Sequence, residues 1–274
     1  MAGSTTVTSS ASNGRAPEGE IHAVIVAGSN GWFNYRHQAD ACHAYHVLRQ
    51  HGVPPDNIIL MMYDDVANHL TNPYRGKLFN KPDGEDVYKG VKIDYSNFLN
   101  VLKGNASGVV GGNGRVLKSK PNDRIFIFYS DHGGVGILAF PIGTLTVKQL
   151  NETMFWMYEN YRYNQLVFYL EACHSGSMFD QTLTDSINAY AVTAAHRNES
   201  SWATYCNTGR LPCLGDEFSV SWMEDSDAVR TLPVTKLYRL LNVYFTSQPL
   251  LTPPTLLLNI PDLRNSCTCC VIPI

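Results

Sequence analysis

Two short segments of the chain place a reactive side chain among small, flexible neighbours. Ser130-Asp131-His132-Gly133-Gly134 offers an imidazole, and Glu171-Ala172-Cys173-His174-Ser175-Gly176 offers a thiol. A thiol becomes a strong nucleophile once a base takes its proton, and the oxyanion formed next needs backbone N–H donors. Glycine lets a backbone come close to a bound substrate. Cys173 as nucleophile, His132 as base and the Gly133 N–H as oxyanion donor meet those demands. Residue types alone also leave a plainer reading open, an inert buried thiol beside a solvated loop histidine.

The elements that would carry these groups are legible as short apolar runs. Residues 21–27 (IHAVIVA), 57–63 (NIILMMY), 123–130 (DRIFIFYS), 165–172 (QLVFYLEA) and 187–195 (INAYAVTAA) read as five buried strands. Between them, Ala41, Ala44, Tyr45 and Leu48 follow helical spacing over residues 37–50, and Gly52 with Pro54 ends that helix. A short helix is expected over 95–102 and a longer one over 147–161. Residues 64–95, rich in Asn, Pro, Gly and Asp, read as a surface excursion. Strands alternating with helices predict an α/β fold, a mostly parallel sheet flanked by helices on both faces. In such sheets the site lies beyond the carboxyl ends of the strands, where His132 and Cys173 fall.

Composition narrows the function class without naming it. With 274 residues, 44% hydrophobic, 16% charged and a net charge of −3, the chain has the make-up of a globular domain. No basic stripe argues for nucleic acid, and no apolar run approaches the roughly 18 residues of a membrane span. The polar start, residues 1–20, lacks the apolar stretch of a signal peptide and reads as disordered. The seven cysteines have no zinc-site spacing, so no metal or cofactor is implied, including at Cys267, Cys269 and Cys270. Cys206 and Cys213 bracket a short loop that a local disulfide could close in an oxidising compartment. Three glycosylation sequons, at Asn105, Asn151 and Asn198, fit a secreted or vacuolar origin.

Six segments, in order along the chain, together resemble the legumain family of cysteine endopeptidases. They are residues 22–31 (HAVIVAGSNG), 34–40 (NYRHQAD), 62–65 (MYDD), 129–133 (YSDHG), 171–173 (EAC) with 175–177 (SGS), and 222–227 (WMEDSD). The resemblance implies a caspase-like sheet and hydrolysis of peptide bonds after asparagine, more weakly after aspartate in acid. By position, Cys173 resembles the nucleophile, His132 the base and Asn34 the residue that orients the site. Arg36, His37, Glu171 and Asp216 match the specificity pocket, and Ser200 and Ser201 the substrate channel. Asp131 matches an aspartate able to form a succinimide. The implied partners are protein and peptide substrates with exposed asparagine and cystatin-type inhibitors, in a lysosome or vacuole.

An asparagine side chain offers one carbonyl acceptor and one NH₂ donor. Arg36 could bond the first, and Glu171 or Asp216 could accept from the second. Two departures stand out. His174 follows the nucleophile where many relatives carry an acidic residue, so it either alters local charge and the pH optimum or faces solvent. Residues 92–97 (KIDYSN) are also shorter than the equivalent loop. The resemblance covers a peptidase domain over residues 21–229 and fades over 230–274, where no prodomain is recognisable. A glycolipid-anchor transamidase relative and a catalytically inactive truncated homologue are the alternative readings.

Overall fold

The computed structural model describes residues 19–91, 93–94 and 97–228. The polar start up to residue 18 and the tail 230–274, with its three cysteines, lie outside the described residues. In chain order the elements are β1 (Ile21–Ala27), α1 (Tyr35–Gln50), β2 (Ile58–Met61), β3 (Ile93–Asp94), α2 (Phe98–Leu102), β4 (Arg124–Ser130), β5 (Gly133–Gly134), β6 (Ile137–Ala139) and β7 (Thr144–Thr146). There follow α3 (Val147–Glu159), β8 (Gln165–Glu171), β9 (Ala189–Thr193), β10 (Ala203–Thr204), β11 (Gly215–Asp216) and α4 (Glu217–Ala228).

Six strands form one parallel sheet in the order β3-β2-β1-β4-β8-β9. The fold is therefore α/β, as the alternation of strands and helices predicts. Side chains alternate between the faces of each strand, and the buried residues divide accordingly. Ala23, Ile25, Ile58, Leu60, Phe126 and Phe128 pack toward α1 and Met223 of α4. Val24, Val26, Ile59, Ile125, Ile127 and Phe168 pack toward α2 and toward Leu150, Met154 and Met157 of α3. Both sheet faces are thus covered, which explains why these strands read as continuous apolar runs. No helix among the described residues is long and apolar enough to cross a membrane.

The structure departs from the sequence reading in several elements. Helix α1 begins at Tyr35, two residues before the apolar periodicity does, so Arg36 and His37 occupy its first turn. Helix α2 begins at Phe98, capped by the Asn97 side chain accepting from the Asn100 N–H. Strand β3 lies inside the stretch read as loop. The small β5-β6-β7 sheet follows His132, and α4 was not anticipated at all. Only Ser219, Val220, Met223 and Ser226 of α4 are buried. Two of those four are serines, which hides a helical face from hydropathy.

Candidate active site

The chain moves outward from β1 through β2 to β3, then returns to place β4 on the other side of β1. The loops leaving β1 and β4 therefore diverge, opening a crevice beyond their carboxyl ends. Asn34, Arg36 and His37 enter it from the loop after β1 and the start of α1. Asp131, His132 and Gly133 enter from the end of β4, and Glu171 and Cys173 from the end of β8. Asp216 arrives on β11.

Register places the two reactive groups at matching depth. Ser130 of β4 pairs with Glu171 of β8, and the Asp131 N–H continues the ladder by donating to the Glu171 carbonyl at 3.1 Å. His132 and Cys173 each lie two residues past that pair. Gly133 follows where no side chain fits, since a Cβ there would stand 2.6 Å from the Cys173 carbonyl oxygen and 3.0 Å from the Ala172 Cβ. The Cys173 thiol is buried and lies 3.8 Å from the Ser201 carbonyl and 3.9 Å from its hydroxyl.

The protonation pattern of His132 follows from its neighbours. The Asn34 amide NH₂ donates to the Asn30 carbonyl at 2.8 Å, which turns its oxygen toward His132 Nε2 at 2.9 Å. An oxygen can only accept, so Nε2 carries the proton and Nδ1 of the neutral ring keeps its lone pair. Burial lowers the pKa of His132, Asp131 pulls it back up, and Arg36 lowers it further. The net direction is downward, which favours the neutral ring.

Beside this pair lies a buried charged pocket. Arg36 Nε donates to Asp216 Oδ1 at 2.8 Å, and both side chains are almost wholly enclosed. His37 is fully buried, with Nδ1 2.6 Å from the Ser29 hydroxyl and 3.1 Å from Asp131 Oδ1, and Nε2 3.5 Å from Asp216 Oδ2. Desolvation and then Arg36 push its pKa well below the usual imidazole value, so it is neutral. Glu171 Oε2 accepts from the N–H and hydroxyl of Ser219, both at 3.0 Å. Burial and the neighbouring Asp216 raise the Glu171 pKa well above the ordinary carboxylate range, against the pull of Ser201 and Ser219. Glu171 Oε1 and Asp216 Oδ2 are buried without a closed hydrogen bond among the described residues. Two orphaned acceptors beside a guanidinium call for a ligand that donates and accepts.

The model of the Peptidase C13 family matches residues 21–244. The chain belongs to this family. It is 53% identical over 231 residues to the vacuolar-processing enzyme delta-isozyme of Arabidopsis thaliana, covering 79% of this chain and 50% of that one. It is 55% identical over 217 residues to legumain of Mus musculus and 54% identical over 217 residues to legumain of Homo sapiens, in both cases 76% of this chain and 50% of the relative. The chain thus spans about half the length of these relatives. The crystal structure of caspase-1 from Spodoptera frugiperda overlaps it with a TM-score of 0.43 at 12% identity, covering 81% of this chain and 77% of that one. The α/β class stands on the chain's own sheet.

The candidate site draws on residues that spacing could not single out. Ser29 holds His37, and Asp65 holds the loop after β1 by accepting from the Gly31 N–H and the Gln38 amide, each at 2.8 Å. Ser219 anchors Glu171. The HAVIVAGSNG and MYDD segments were the available signals for Ser29 and Asp65, whereas Ser219 carried none. Ser201 reaches the thiol, and Ser200, one residue earlier, is partly exposed. His174 adopts left-handed backbone geometry at φ 58°, donates from Nδ1 to the Arg197 carbonyl at 3.0 Å, and is only partly exposed. It pins the loop behind the thiol. His37, Asp131 and His132 offer three potential metal-ligand atoms within 4.8 Å of one another. In the present arrangement His37 Nδ1 and His132 Nε2 already hold Ser29 and Asn34.

Proposed function

We propose that the chain is the catalytic part of a legumain-type cysteine endopeptidase that hydrolyses peptide bonds after asparagine. The observation that supports this is the paired register of β4 and β8, past which His132 and Cys173 each follow by two residues in a C13 chain. His132 Nδ1 takes the Cys173 proton, and the thiolate attacks the carbonyl carbon of the scissile bond. Backbone N–H groups near Gly133 and Cys173 receive the oxyanion. The tetrahedral adduct collapses by breaking the C–N bond, and His132 returns its proton to the leaving amine. Water, deprotonated by the same imidazole, hydrolyses the thioester and regenerates the thiol.

Specificity follows from the donor and acceptor pattern of the pocket. The guanidinium of Arg36 bonds the asparagine side-chain carbonyl, and the vacant oxygens of Glu171 and Asp216 accept from its NH₂. A side chain lacking either group leaves buried polar atoms unpaired, and such mismatches discriminate strongly. A protonated aspartate imitates the amide, which accounts for weaker cleavage after aspartate in acid. Asp131, buried and poised against His37, is the succinimide candidate. Ser200 and Ser201 border the substrate channel. Protein substrates and a vacuolar or lysosomal compartment go with this reading, supported by the names of the relatives and by the Cys206–Cys213 disulfide.

The test is direct. The expressed chain and Cys173→Ala are assayed at pH 5.5 on matched Ala-Ala-Asn and Ala-Ala-Lys fluorogenic substrates. Cleavage after asparagine alone, abolished in the variant, is expected. Equal cleavage of both substrates, or activity surviving in Cys173→Ala, would overturn the assignment.

A further inference from the structure

Strand β11 carries Asp216, yet among the described residues it pairs only with β10, and both strands are two residues long. So short a ribbon does not fix its own position. What holds it is a buried side-chain clamp on α1. The Asp216 N–H points at both oxygens of Asp40, at 3.4 and 3.2 Å. The Asn80 amide donates to Asp40 Oδ1 at 2.7 Å and to the Leu214 carbonyl at 3.0 Å. Between them, a Cβ on Gly215 would stand 3.0 Å from Asp40 Oδ1, 2.9 Å from Asn80 Nδ2 and 2.5 Å from a Val220 methyl. The strand is seated directly on the clamp.

Asp40 lies one helical turn after Arg36, on the same face of α1. One turn of one helix therefore grips Asp216 twice, by its side chain through Arg36 and by its backbone through Asp40. The Ser130 hydroxyl donates to Asp40 Oδ2 at 3.2 Å, which ties the clamp to β4 two residues before the base. On its outer side Asn80 Oδ1 meets His43 Nδ1 at 2.7 Å, and His43 Nε2 meets Asp227 of α4 at 3.0 Å. Burying a carboxylate is costly, and burial together with Asp216 and Glu171 pushes the Asp40 pKa well up while Asn80 opposes it. Nothing in the proposed reaction uses Asp40 directly.

We infer that Asp40 and Asn80 are positioning residues that hold Asp216 against Arg36 and so set the geometry in which the asparagine side chain is read. This rests on the asparaginyl-endopeptidase reading above. Both residues act through Asp216 without touching substrate.

The experiment compares the unmodified chain with Asp40→Asn and Asn80→Ala. Asp40→Asn keeps the shape but turns one acceptor into a donor facing other donors. KM for the Ala-Ala-Asn substrate is expected to rise about tenfold in Asp40→Asn, as for one lost aligned hydrogen bond, and by a smaller factor in Asn80→Ala. kcat and the rate of Cys173 alkylation by iodoacetamide should stay within about threefold, because the dyad is untouched. The ¹⁵N–¹H signal of Arg36 Nε, assigned with Arg36→Lys, should shift in both variants. Unchanged KM with an unmoved Arg36 signal overturns the inference, as does a loss confined to kcat and alkylation. Insolubility of both variants also counts against it, since the cluster would then be general core support. If the unmodified chain fails to cleave after asparagine, the specificity reading fails, and the Arg36 signal alone decides the positioning role.

Discussion

Asp131 links the site to stability in a way that can be worked through. Its carboxyl is buried between His37 and the end of β4, and desolvation raises its pKa from 3.8 to about 6, against the pull of His132, Ser29 and Arg36. A carboxyl with a raised folded pKa binds its proton more tightly in the native state than in the unfolded chain. Its contribution is therefore fully present below pH 3.8 and is lost as pH climbs through about 6. At 1.36 kcal/mol per pH unit, that displacement is worth about 3 kcal/mol. Asp131→Asn cannot ionise and escapes this loss. Thermal melts of both proteins at pH 4, 5, 6 and 7 should nearly coincide at the acid end, apart from any constant offset. The gap should then widen by about 2.4 kcal/mol in favour of the variant between pH 4 and 7, roughly 5–10 °C for a domain of this size. Asp40 and Glu171, also raised by burial, give both proteins a common pH slope that cancels in the difference. A gap that stays constant from pH 4 to 7 would refute the reasoning.

Further outcomes follow from the same geometry. Asn34→Ala frees the His132 tautomer, and kcat should fall roughly 10- to 100-fold at nearly constant KM in steady-state assays. Glu171→Gln keeps both Ser219 hydrogen bonds and replaces a carboxyl whose pKa is raised, so its melting temperature at pH 7 should not fall. Glu171→Ala strands the Ser219 donors and should cost about 2–3 kcal/mol by thermal melt. Gly133→Ala drives a Cβ into the backbone of Cys173, so a well-folded variant should lose at least about 100-fold in kcat/KM. Reducing the Cys206–Cys213 bond, which closes a loop of sequence separation 7, should lower stability by about 2 kcal/mol, seen as a drop of roughly 4–8 °C on adding a phosphine reductant.

The strands and the dyad were legible because their signals are local. Five apolar runs of β-branched and aromatic residues read as strands, the fifth lying half-buried at the sheet edge, and small-residue loops at two neighbouring ends made His132 and Cys173 candidates. Helix α1 was legible only in part. Its apolar spacing pointed to one covered face, whereas 13 of its 16 residues are buried, including Arg36, His37, Gln38, Asp40 and His43. Arg36, Asp40 and His43 are enclosed because β11, Asn80 and α4 close over the other side of the helix, a covering supplied by segments 37 to 184 residues away. Helix α4 escaped notice because its buried stripe is half serine, and those serines are buried for what they hold rather than for hydrophobicity.

By itself the sequence determined the α/β class and the strands that end at the candidate site, and it offered His132, Cys173 and, through the resemblance, the pocket residues as candidates. Only the tertiary structure decided that Asp216 lies on Arg36, that the Asn34 oxygen faces His132 Nε2, and that Asp40 and Asn80 seat the strand beneath them. The division has a physical cause. Strand and helix signals arise from the free energy of burying apolar side chains at a fixed period, which is written along the chain. Hydrogen bonds across 98 to 180 residues carry no period, and they form only once parallel pairing of β1, β4 and β8 has brought their loops together.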